Sequence, residues 1–141
     1  MHFRLAFAAL LLAAPAMAAP TSFEAELDPA PFDATNRADV INSIGTVTAT
    51  LDGATLTVQG SFSNLASPAR GGSFHIGLAK GVPGDAIGGS VTVTHAQQGM
   101  VSGTVTLSPA QVEALNRQAL YLRIDSEKAP DGNLQGWLEG K

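Results

Sequence analysis

The side chains able to do chemistry in this 141-residue chain are few, and none is a cysteine. Thiolate catalysis, disulfides, iron–sulfur clusters and zinc-finger sites are therefore excluded together. Among the histidines, His75 is the sharpest candidate. In the run Ser73-Phe74-His75-Ile76-Gly77-Leu78, period-two counting puts it with Ser73 and Gly77, opposite Phe74, Ile76 and Leu78. Asp125 likewise falls opposite Leu120, Leu122 and Ile124. Both are expected to face solvent. On neighbouring strands, one imidazole and one carboxylate make half a metal site, short of the three or four donors that zinc or copper takes. His95 shares parity with Val91 and Val93, which places it on the inner face or at a strand end and makes it a poor third ligand. The residues thus predict no metal site and no cofactor. His75 and Asp125 are the weak metal candidates, and His75 reads as an ordinary surface histidine.

Other constellations fail for stated reasons. No Gly-x-Ser-x-Gly elbow is present, so acyl transfer by an activated serine is not expected. Gly81, Gly84, Gly88 and Gly89 lack a following helix and a lysine in the phosphate-loop position, which makes them loop glycines. Asp33, Asp39 and Asp85 lack calcium-loop spacing. Glu24, Glu26 and Asp28 alternate with Phe23, Ala25 and Leu27 and read as a solvated outer row. Trp137 is out of phase with Leu134 and Leu138; an exposed tryptophan beside Tyr121 is a modest hint of a binding surface or a cover for a sheet edge.

Elements must position these residues, and composition limits which ones. With 45% hydrophobic and 14% charged residues, 15 Gly and 8 Pro, the chain suits one compact, turn-rich β domain. The formal charge of −4 disfavours nucleic acid, whose phosphates require a surplus of Lys and Arg. Residues 1–18 read as a signal peptide: a basic start ending at Arg4, an apolar run from Leu5 to Ala14, and the small residues Ala16 and Ala18 before the cut. The run is too short to span a bilayer, which takes about 20 apolar residues. Cleavage after Ala18 leaves residues 19–141 as the domain, with no membrane span, exported to the periplasm or beyond the cell. Without a lipobox cysteine it is not a lipoprotein.

Within that domain the period is two, the strand signature. A first strand covers Phe23 to Asp28 and stops at Pro29 and Pro31; Ala30 to Ser43 follows as a long polar connection. Asp52-Gly53 suits a two-residue type I′ hairpin turn. It pairs Leu51 with Ala54, Ala49 with Leu56 and Val47 with Val58, leaving Thr46, Thr48 and Thr50 on the other face with Thr55, Thr57 and Gln59. Phe62 and Leu65 continue the inner face. Pro68, Gly71 and Gly72 then break the chain before a strand from Ser73 to Leu78. A second hairpin joins Val91 and Val93 to Val101, Val105 and Leu107, with its tip at Gln97 to Gly99. Ser108-Pro109-Ala110-Gln111 has the form of a capping box opening a short helix over residues 109–118. Strands at Leu120 to Asp125 and Leu134 to Leu138 close the domain. Seven or so antiparallel strands imply an all-β sandwich or barrel with Greek-key crossings.

The run Gly-Thr-Val-Thr-Ala-Thr-Leu-Asp-Gly-Ala-Thr-Leu-Thr-Val from Gly45 to Val58, then Gly60 to Pro68, resembles the opening of a CHRD (chordin-type) domain. Val101 to Ser108, Leu120 to Ile124 and Pro130 to Leu138 resemble its later strands, so the resemblance spans about Phe23 to Leu138. It implies an extracytoplasmic, immunoglobulin-like β domain without catalytic activity of its own; in animal chordin the host protein binds growth factors. Members often carry His-x-His in the strand that holds Phe74-His75-Ile76-Gly77 here, and a further histidine at the position of Asp125. Only His75 survives in this chain.

The expectation is therefore a noncatalytic exported binding module for a protein or envelope ligand. The alternative is a metal-binding or metal-dependent redox protein on a sandwich like that of copper–zinc superoxide dismutase, with a degenerate site at His75 and Asp125.

Overall fold

The computed structural model describes residues 19–141. The signal peptide expected over residues 1–18, and His2, lie outside them. The described strands are β1 (Thr21–Pro29), β2 (Ile44–Asp52), β3 (Thr55–Ser63), β4 (Ala69–Ile76), β5 (Asp85–Ala86), β6 (Ser90–Val93), β7 (Gly99–Thr106), β8 (Leu120–Ser126), β9 (Leu134–Trp137) and β10 (Glu139–Gly140). Helices α1 (Arg37–Val40) and α2 (Pro109–Asn116) interrupt them. The fold is all-β, as expected.

Every ladder is antiparallel, and the strands form one hydrogen-bonded path, β5-β4-β8-β9-β1-β2-β3-β7-β6. This sheet curls on itself, bringing β4 near one end of the path against β6 at the other. The joint is β1. Along one side it pairs with β2 from Thr21 to Leu27; along the other it pairs with β10 at Phe23 and Glu24 and with β9 at Asp28 and Pro29. Valine- and threonine-rich alternation suits this half-buried pleat, with branched apolar residues inside and hydroxyls outside. Phe23, Leu27, Val47, Leu56, Phe74 and Leu122 belong to one continuous core enclosed by the curl.

The hairpin between β2 and β3 keeps the expected faces but shifts the register by two. Asp52 pairs with Thr55, Leu51 with Leu56 and Ala49 with Val58, so the two-residue turn is Gly53-Ala54 rather than Asp52-Gly53. Gly53 has φ +61° and stands first in the turn, the glycine position of type II′. Sliding by two residues preserves parity, which is why the inner face survives the change of partners. Gly53→Val is expected to destabilise the domain by about 1–2 kcal/mol through backbone strain alone, since the position is otherwise open space. Urea midpoints of the two proteins check it, and coincident midpoints would contradict this turn.

Other expectations change more. Pro68, Gly71 and Gly72 do not delay β4, which already starts at Ala69 and absorbs an irregularity between Ala69 and Gly71. It also ends before Leu78: the Gly77 N–H donates to Ala119 O (3.0 Å) and the chain turns away, leaving Leu78 85% exposed instead of inward. The polar connection after β1 contains α1, unexpected from its composition, which buries Val40. Asp33 organises the approach to it. The Thr35 hydroxyl and the Thr35 and Asn36 N–H groups donate to its carboxylate and hold its pKa below the ordinary value. Helix α2 forms on the expected capping box: Ser108 Oγ accepts from Gln111 N–H (3.2 Å), and Gln111 Oε1 accepts from Ser108 N–H (2.9 Å).

Candidate functional site

The outer face of β4, β8 and β9 carries an aromatic row set by register. His75 is the cross-strand partner of Tyr121, and Tyr121 of Trp137. The His75 and Tyr121 rings stack with centroids 4.9 Å apart and planes 19° off parallel; Tyr121 and Trp137 lie 4.6 Å apart, tilted by 34°. Parity placed these residues outside correctly, yet His75 is only 5% exposed and Tyr121 only 2%. The cover is the segment 77–84, which returns over the face. Tyr121 Oη accepts from Gly84 N–H (3.0 Å) and donates to Gly84 O (3.1 Å). His75 Nδ1 donates to the same carbonyl (2.9 Å), so in the neutral ring Nε2 accepts from the Ser73 hydroxyl (2.7 Å). The expected solvent-facing histidine is thus a buried anchor for a loop, with both ring nitrogens engaged.

Asp125 does not meet it. Its partner across β4 is Gly71, four strand positions from His75, or roughly 13 Å along the strand. It is held by Arg123, whose Nε donates to Asp125 Oδ1 (2.8 Å). His95 lies exposed just past the end of β6, its Nδ1 donating to Ala69 O (3.1 Å). The three candidates therefore occupy three separate places.

What the fold does assemble is a groove of about 610 Å³ on the outer face, between the loop 77–84 and β2. Glu24, Glu26, Thr46, Thr48, Lys80 and Trp137 line it, and Gln135 and Glu139 complete its β9–β10 side. The row Glu24, Glu26 and Asp28 is exposed, as its alternation requires. Lys80 crosses from the loop to an ion pair with Glu139. Trp137 is half-buried, with Tyr121 on one side and β1 on the other; its indole Nε1 is buried without a hydrogen-bond partner. The outward direction of Trp137 and Tyr121 was readable from strand parity, and their adjacency follows from the β8–β9 register. Lys80 and Glu139 were not readable, because no local pattern ties a loop lysine to a carboxylate fifty-nine positions later.

The groove offers acceptors in its carboxylates, a donor in the Lys80 ammonium, and groups that do both in Thr46, Thr48 and Gln135. The family model described as CHRD domain matches residues 23–138. No curated protein and no solved structure matches the chain.

Proposed function

From the premise that the chain belongs to the CHRD domain family over nearly its whole length, we propose that it is a noncatalytic binding module, exported to the periplasm or beyond, that holds its ligand in the groove beside Trp137. The observation that carries this reading is the contrast between the two polar assemblies on the outer face. The residue with most catalytic potential, His75, is used up inside, holding the segment 77–84. The groove next to it is open and lined by groups suited to reversible hydrogen bonding. A redox or metal-dependent role would call on His75 and Asp125, and both are committed to other partners at a distance from each other. We also read the curled sheet as the family's immunoglobulin-like sandwich.

The exported protein is expected to begin at Ala19, which N-terminal sequencing checks, and, once immobilised, to retain an envelope component that the Glu26→Lys variant does not. Glu26 is exposed on β1 and lines the groove, so the charge reversal alters the site without touching the core. Equal capture by both proteins would overturn the assignment of function to the groove.

A further inference from the structure

We infer that the groove is the head of a binding path for a neutral, linear glycan laid across the strands; this rests on the reading of the groove as the ligand site. The lining supplies what a sugar ring asks for. Trp137, half-buried with Tyr121 packed against it, lines the groove and brings aromatic surface to it for the C–H face of a pyranose. Around it stand carboxylate acceptors, an ammonium donor, and hydroxyl and amide groups that both give and accept, matching hydroxyls that do the same. Charge narrows the class. Lys80 is neutralised by Glu139 and Glu24 by Lys141 (3.7 Å), so the groove's remaining carboxylates, Glu26 and Asp28, are the ones that repel uronate- or phosphate-bearing chains.

Register then extends the site beyond the groove. Glu24 pairs with Thr48, Thr48 with Gln59, Gln59 with Ser102 and Ser102 with Thr92, one outward row crossing β1, β2, β3, β7 and β6. All five residues are exposed, and beyond Glu24 all are neutral and polar. Four strand steps cover about 19 Å, room for several sugar rings in file. The right-handed twist of a sheet turns each strand against the last. A row on it therefore suits a single twisted chain better than the flat face of a crystalline polysaccharide.

Trp137 is the sole tryptophan, so its fluorescence reads the groove directly. The exported protein should be titrated with cellohexaose, laminarihexaose and maltohexaose, with hexamannuronate and hexalysine as charged comparators and calorimetry in parallel. At least one neutral hexasaccharide is expected to give a saturable signal, and the charged probes none. Thr48→Val, which keeps a β-branched residue on an exposed strand position, should weaken that binding about tenfold, as should Gln59→Ala, while Thr48→Ser restores it. Saturation by hexalysine alone would leave the groove as the ligand site and overturn the glycan. Silence towards every probe, with groove-dependent envelope capture intact, would do the same. Sugar binding unchanged in Thr48→Val and Gln59→Ala would overturn the path across the strands.

Discussion

Gly136→Ala is expected to destabilise the domain by about 3 kcal/mol and to disturb the environment of Trp137 at the same time. A Cβ on residue 136 would stand 2.2 Å from Glu26 O, 3.0 Å from Glu26 C and 2.9 Å from Leu27 Cδ2. Two of those atoms are backbone, so the clash cannot be relieved by a rotamer change. It must be relieved by moving β9 off β1, and β1 is where the β5-β4-β8-β9 portion of the sheet joins the β2-β3-β7-β6 portion. Trp137 is the next residue, and the wall of the groove moves with it. Urea denaturation gives the stability, and near-ultraviolet circular dichroism of the sole tryptophan gives the local change. An unaltered midpoint would show that β1 and β9 approach less closely than this.

Asn133→Ala should cost about 2–4 kcal/mol, mostly through the polar groups it leaves behind. The side chain is wholly buried. Its Oδ1 accepts from Ser126 Oγ (2.7 Å) and its Nδ2 donates to Ser43 Oγ (2.8 Å). Ser43 Oγ in turn donates to Val40 O (2.5 Å), and Ser126 Oγ accepts from Ala129 N–H (3.2 Å). One carboxamide thus ties the connection that carries α1 to the turn between β8 and β9. Alanine removes both bonds and opens a cavity, while the two hydroxyls stay buried. Adding Ser126→Ala to the variant removes one stranded hydroxyl, so the double mutant should lose less than the two single losses combined. Additive losses in thermal and urea unfolding would show that the two side chains do not act as one network.

Much of the fold is written in local alternation. In β1 and β2 the residues Phe23, Ala25 and Leu27, and Val47, Ala49 and Leu51, turn inward by parity alone, and each of them is buried. Parity is indifferent to an even shift, so it could not choose between turns at Asp52-Gly53 and Gly53-Ala54. Both put Gly53 at positive φ and both keep the apolar residues together. The capping box of α2 was readable for a related reason, since its donors and acceptors lie within three residues of one another.

Sequence by itself determined the strand faces of β1 and β2, the all-β class, the family and the outward direction of His75, Tyr121 and Trp137. Only the tertiary structure decided that outward is not the same as solvated. The segment 77–84 folds back to bury His75 and Tyr121, while Trp137 stays half open to the groove. Asp125 also keeps its expected parity, but the pairing of β4 with β8 sets it opposite Gly71 and far from His75. Lys80 and Glu139 come together from a loop and the last strand. The physical reason is range: a pleat fixes the side of a strand from neighbouring residues, whereas what covers that side depends on chain closure between residues far apart, which leaves no periodic trace in the sequence.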